Sequence, residues 1–236
     1  MTSLSPADDE LLRLAFLRCR DMEGPLSERL DAYAAAGRDI FPAYSDAVDR
    51  LVARLHANGG GENAPRSGEP MPPFLLPDET GRLISLQSLL AQGPLAVMFF
   101  RGHWCPYCRL NVRVLIQAMD RIKAIGGHVV AIMPETQAYA AKFKTDSAVP
   151  FPVLTDLDNG YALSLNLAIW LGAEIQGLLS PMQDMPTFHG NDGWVLPIPA
   201  TFVIGRDGVV KTRFVDPDFR KRMAIDDLIA ALRRQI

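Results

Sequence analysis

The chain has 236 residues, 48% of them hydrophobic and 8% aromatic, with a formal net charge of −3. That is enough apolar material for a sizeable core, and enough length for one large domain or one domain with an appendage. Basic and acidic residues are interleaved with no basic stripe, which argues against nucleic acid and anionic membranes as partners. No apolar run reaches membrane-span length, and the acidic start, Met1 to Glu10, lacks the basic and apolar segments of a secretion signal. Three cysteines, two of them in a C-x-x-C pair, do not make a secreted disulfide framework and fit a reducing, cytoplasmic setting.

Taken in order, Ser5-Pro6-Ala7-Asp8 reads as a helix cap. The helix it opens runs to about Arg20 and is broken by Gly24-Pro25. The spacing predicts a second helix over Leu26–Ala36, ended by Gly37, and a third over Pro42–Leu55. Residues 1–57 thus form a helical extension that needs a docking surface, on this chain or on a second copy through a homodimer. Cys19 lies there as a small buried hydrophobe. The Gly-, Asn- and Pro-rich stretch 58–69 reads as a flexible linker, and residues 70–236 as the main domain.

In that domain, Met71–Leu86 predicts a short hairpin turning at Asp78–Gly81, and Ser85 caps a brief helix. Leu95–Phe100 reads as a strand buried on both faces, Leu110–Ile125 as a helix stopped by Gly126-Gly127, and His128–Met133 as a second buried strand, together a βαβ unit. Thr136–Lys144 is helical, Pro150–Asp156 holds a short strand, and Asn159–Leu167 is helical. The Gly- and Pro-rich stretch from residue 169 to 198 predicts a partial helix and an irregular, functional loop. Pro199–Phe214 is a hairpin around Gly205-Arg206-Asp207-Gly208, and Ala224–Arg234 is a last amphipathic helix. The expected fold class is α/β, a mixed central sheet with helices on both faces.

The chemistry centres on Arg101-Gly102-His103-Trp104-Cys105-Pro106-Tyr107-Cys108-Arg109, between the buried strand and its helix. A helix start has unpaired N–H groups and partial positive charge, both of which stabilise a thiolate. Residues three apart there lie on neighbouring turns, so Cys105 and Cys108 can close a disulfide with little movement. Arg101, Arg109 and His103 would lower a thiol pKa further if they point inward, and the first cysteine is expected to be the more exposed. A zinc site needs about four ligands, and only Cys19 and four scattered histidines remain. Haem attachment needs a histidine where Arg109 stands. No metal or cofactor is therefore expected. Met133, Met182 and Met185 read as packing residues, and Glu135 as an exposed loop carboxylate.

Trp104-Cys105-x-x-Cys108 and Ile198-Pro199-Ala200-Thr201-Phe202 resemble the thioredoxin fold. The resemblance places Pro199 at that family's cis-proline, beside the dithiol. Pro73-Phe74-x-Leu76-x-Asp78-x-x-Gly81, Phe151-Pro152-Val153-Leu154-Thr155-Asp156 and Ala200-Thr201-Phe202-Val203-Ile204 resemble the peroxiredoxin branch, the alkyl hydroperoxide reductase/thiol-specific antioxidant (AhpC/TSA) family, over about residues 68–236. In its P-x-x-x-T-x-x-C motif, Arg101 stands at the proline, Cys105 at the threonine and Cys108 at the cysteine that attacks peroxide. The family's late active-site arginine falls on Pro199 and is missing. The resemblance implies a thiol peroxidase acting on hydrogen peroxide or alkyl hydroperoxides and recycled by an external thioredoxin- or glutathione-type thiol. Two other readings stay open: a thioredoxin-like oxidoreductase in which Cys105 attacks disulfides, and a non-catalytic binding module. An intact C-x-x-C argues against the last.

Overall fold

The structure, a computed structural model, describes residues 4–235. Helix α1 (Pro6–Asp21) opens on a capping box: Ser5 Oγ accepts from the Asp8 N–H at 3.2 Å, and the Asp8 carboxylate accepts from the Ser5 N–H at 3.2 Å. Helix α2 (Leu26–Ile40) does not end at Gly37 but runs through it. It stops at Phe41 (φ −133°, ψ 68°), because the residue before a proline is pushed out of the α region. Pro42 then opens α3 (Pro42–Ala57). Arg29 is buried and ties α2 back to α1, donating to the Arg20 carbonyl at 2.8 Å.

The stretch expected to be a flexible linker is packed. Gly68 N–H donates to Val210 O at 2.8 Å, Met71 N–H donates to Gly208 O at 2.9 Å, and the Arg213 guanidinium donates to the carbonyl of the buried Ala64. Its glycines serve close approach more than freedom: a Cβ on Gly61 (φ +79°) would lie 2.6 Å from Val215.

The hairpin follows as β1 (Leu75–Pro77) and β2 (Leu83–Ser85), with helix α4 (Leu86–Leu90) capped by Ser85. Then come β3 (Leu95–Phe99), α5 (Pro106–Gln117), α6 (Met119–Ala124) and β4 (His128–Met133). The single helix expected after the cysteines is broken at Ala118 (φ −97°, ψ −3°). Next are α7 (Gln137–Asp146), β5 (Val153–Thr155), α8 (Gly160–Ser164) and β6 (Ala168–Trp170). The stretch read as a partial helix with an irregular loop holds two short helices, α9 (Ala173–Leu179) and α10 (Met185–His189), closed off by β7 (Val195–Pro197) pairing antiparallel with β6. β8 (Ala200–Ile204), β9 (Val210–Val215) and α11 (Ile225–Arg233) complete the chain.

The central sheet has the order β5-β4-β3-β8-β9. β3 runs parallel to β4 (Leu95 opposite His128) and antiparallel to β8 (Leu95 opposite Ile204). Successive side chains of a strand face opposite sides, and the core divides accordingly. Ala96, Met98 and Phe100 join a cluster with α5, α11 and all three N-terminal helices, while Leu95, Val97 and Phe99 join one beneath β1, β2 and α4. The N-terminal helices thus dock on this chain's own sheet layer, and they do so over α5. Phe16, Leu30 and Leu51 are buried there, each contributing about 1.5–3 kcal/mol by removal from water.

Candidate active site

The sheet delivers the motif to the sulfur site. Phe100 N–H still donates to Ile132 O at 2.9 Å, so the chain is held one residue beyond β3. Gly102 then turns it (φ +146°), and a side chain there would collide with Trp104 Nε1 at 2.5 Å and Glu135 Oε1 at 2.7 Å. Cys105 is the N-cap of α5 and Pro106 its first residue, which puts Cys108 in the first helical turn.

Both sulfurs are buried, with 0% exposure. The expected exposure of Cys105 is therefore not found, because α2 covers the helix start: the Tyr33 and Tyr107 rings meet edge to face at 5.3 Å. The two thiols are driven in opposite directions. Burial raises Cys105 well above an ordinary thiol, and its hydrogen bond to Cys108 and the charge of Cys108 add to the rise. Burial pushes Cys108 up as well, but the hydrogen bond from Cys105, the Arg222 charge, the Arg101 N–H and the Arg101 charge outweigh it and bring Cys108 down to about 6. The Arg101 N–H donates to Cys108 Sγ at 3.4 Å and Arg222 Nη2 at 3.6 Å. Both donors that reach a sulfur, the Arg101 N–H and Arg222 Nη2, reach Cys108, so the surroundings favour a thiolate there over Cys105.

Of the supporting residues read from the sequence, Arg101 and Trp104 belong to this site. Arg101 is 2% exposed. Its guanidinium carbon lies 3.8 Å from the Phe219 ring centroid and 5.1 Å from that of Trp104. Arg109 turns outward: it is exposed, over the Phe16 ring of α1 at 4.4 Å, and makes no hydrogen bond to either sulfur, although a charge on Cys105 is among those it feels. Pro199 is buried in the step between β7 and β8. The described residues contain no cis peptide bond, so it is not the expected cis-proline. Ile198 N–H donates to Leu167 O at 2.7 Å, which continues the β6–β7 ladder and carries the chain into β8.

Three features escaped the sequence reading. Glu135 is not an exposed carboxylate but fully buried. It accepts from the His103 N–H at 2.8 Å and lies 2.6 Å from His103 Nδ1. Burial raises its carboxyl, the His103 bonds and charge oppose that, and the Cys108 charge adds to the rise. The His103 ring stacks on Tyr139 at 4.9 Å and its side chain is 14% exposed, so the pair can carry a proton between the buried site and the surface. His189 is also buried, and its burial, with the charges of Arg101 and His103, holds it down at about 4. Most important is Arg222. It reaches Cys108 from the loop before α11, a place marked in the sequence only by the basic run Arg220-Lys221-Arg222.

Fold and site together define a thioredoxin-fold protein with a polarised cysteine pair at a helix N-terminus. More particularly, the chain belongs to the AhpC/TSA family, whose model matches residues 67–213. It is 28% identical over 92 residues to putative chloroplastic peroxiredoxin Q of Oryza sativa subsp. indica, an alignment covering 39% of this chain and 42% of that protein. The chain therefore spans less than half the length of that relative. It is 26% identical over 148 residues to the thiol:disulfide interchange protein DsbE of Pseudomonas aeruginosa, covering 63% of this chain and 66% of that one. Among solved structures, peroxidoxin BcpB from Mycobacterium tuberculosis superposes with a TM-score of 0.56 at 22% identity, over 72% of this chain and 97% of its own. At that identity the likeness is one of fold. The N-terminal helices lie outside the matched range.

Proposed function

We propose that this chain is a thiol peroxidase in which Cys108 attacks hydrogen peroxide or an alkyl hydroperoxide. The observation that carries the reading is that the Arg101 N–H and Arg222 Nη2 both donate to Cys108 Sγ, at 3.4 and 3.6 Å, where they favour its thiolate. The thiolate attacks the outer oxygen of ROOH and the O–O bond breaks; Cys108 becomes a sulfenic acid that keeps the hydroperoxide hydrogen, and the departing alkoxide takes a proton from solvent and leaves as ROH. Cys105, one turn away, displaces water from it and forms the disulfide. An external dithiol or two thiols of thioredoxin or glutathione type then return both cysteines to the reduced state and are themselves oxidised. Family membership and the peroxiredoxin Q likeness support this reading.

The DsbE likeness and the C-x-x-C spacing favour a second reading, disulfide exchange started by Cys105. Against it, burial raises the Cys105 thiol while the Arg101 N–H and Arg222 Nη2 both reach the other sulfur, which lowers the Cys105 thiolate fraction. None of these steps calls for a cofactor, and three free cysteines suit a cytoplasmic setting. Among the described residues no helix is long and apolar enough to cross a membrane. A homodimer would use α1, where Leu11 and Leu14 remain about half exposed.

The test is a pair of variants assayed for peroxide consumption with a dithiol donor. Cys108→Ser should abolish it. Cys105→Ser should complete one turnover and accumulate a sulfenic acid that dimedone traps. Peroxide loss that survives Cys108→Ser but not Cys105→Ser would reverse the assignment.

A further inference from the structure

A cavity of about 390 Å³ opens beside the motif, within the size range of small-molecule sites, roughly 300–1,000 Å³. Its walls come from α1, α2 and α3, which lie outside the family-matched range, from Leu179, Met182 and Gln183 of the α9 region within that range, and from Phe219 just beyond it. Most of the charge around it is already neutralised. Arg13 pairs with Glu10, Arg38 with Asp46 and Asp49, and Arg220 with Asp49 and Asp218. Asp9 lines the outer end, in the first turn of α1. Arg101 and Arg109 also line the cavity and make no ion pair among the described residues. Arg101 Nη2 and Trp104 Nε1 are buried donors without a hydrogen-bond partner. A buried cationic donor left unpaired is unfavourable, and an anion supplied by a ligand would relieve it.

Gly37 supports the same conclusion. It lies inside α2, where glycine weakens a helix relative to alanine by roughly 0.5–1 kcal/mol. Its φ is ordinary, it lines the cavity, and a Cβ added to it would meet nothing within 4 Å. Neither backbone strain nor packing requires a glycine there. Its effect is to leave the cavity open.

We propose that α1–α3 and the α9 region form a binding pocket for an organic carboxylate with an apolar body, the body lying against the Phe16, Tyr33 and Val48 walls and the carboxylate meeting Arg101. The binding claim is independent of the peroxidase reading. Its consequence rests on that reading: the hydroperoxide of such an acid would be reduced to the alcohol by the two electrons of Cys105 and Cys108. This also gives the N-terminal helices and the 169–198 stretch a shared role as the walls of one site.

The test uses the reduced full-length protein, with decanoate as probe and decanol as its uncharged counterpart, titrated calorimetrically. Decanoate should bind at least about tenfold more tightly than decanol. Arg101→Gln should bring that preference to about twofold or less. Gly37→Leu should weaken decanoate at least about tenfold while leaving thermal stability equal or higher, since leucine is the better helix former. Equal affinity for the two probes, no binding of either, or wild-type decanoate affinity in either variant would overturn the proposal. Failure of the peroxidase reading would look different: decanoate bound as expected, but no peroxide consumed.

Discussion

Arg222 is the largest of the charges that lower Cys108, and Arg222→Met removes it while keeping an apolar stem of similar reach. Its Nη2 lies 3.6 Å from Cys108 Sγ. Two unit charges at that separation attract by roughly 4–5 kcal/mol at an effective dielectric of about 20. Less than that bears on the sulfur, because the guanidinium is only half-buried and also donates to the carbonyls of Phe219 and Lys221. An opposite charge at this range moves a pKa by about 1–3 units. The Cys105 hydrogen bond and Arg101 remain in the variant, so a rise of about 1–2 units from the wild-type value of about 6 is expected. The sign sets the pH profile. Below about pH 6 both proteins are largely protonated and the variant reacts with peroxide about 10- to 100-fold more slowly. As the pH rises through the variant's higher pKa the gap closes, and in alkali the rates meet. Stopped-flow peroxide kinetics across pH, alongside the ultraviolet absorbance of the thiolate, measure both quantities. An unchanged midpoint would refute the reasoning. So would a slowing that is the same at every pH, since that would make Arg222 a group that positions peroxide and leaves the thiolate alone.

Two further substitutions probe the scaffold. Gly102→Ala forces a side chain into contact with Trp104 and Glu135 at a φ of +146°, and should lower unfolding stability by about 2–4 kcal/mol and slow the peroxide reaction, both read by denaturant titration and initial rates. Retained stability would mean that the turn after β3 can relax. Leu30→Ala empties a site that is 2% exposed between the N-terminal helices and α5; a loss of about 2–5 kcal/mol in one cooperative thermal transition is expected. Two separate transitions would show that the helices melt as their own unit.

The parts of the fold legible in the sequence are those whose signal is local. The apolar run of β3, the βαβ spacing and the Gly205–Gly208 hairpin each carry their pattern within a few residues, and each stands in the structure where expected. The C-x-x-C at a helix start is of the same kind. What could not be read depends on contacts distant in sequence. Nothing adjacent to Glu135 distinguishes a buried carboxylate from an exposed one, because its partner His103 lies 32 residues earlier. Arg222 reaches Cys108 across 114 residues. Gly37 was misread because a glycine near the end of an apolar pattern is a good stop signal, and only the cavity beside it supplies another reason for its presence.

The order of attack proposed above rests on the donor and acceptor roles around the pair. Where the family motif has threonine, this chain has Cys105. A threonine at that position offers an O–H donor to the attacking sulfur, and a cysteine offers a weaker S–H donor in its place. The substitution keeps the hydrogen bond that lowers Cys108 and adds what threonine lacks, a sulfur able to close a disulfide. Because the donor and the resolving group are one atom, the hydrogen bond that activates Cys108 also sets the path of the second step. No distant cysteine has to approach, and α5 need not unwind for the disulfide to form. Attack by Cys105 would need the thiolate on that sulfur, whereas the Arg101 N–H and Arg222 Nη2 both reach Cys108. In the proposed order the motif keeps a thioredoxin-like spacing, and the charge that favours Cys108 comes from the Arg222 loop.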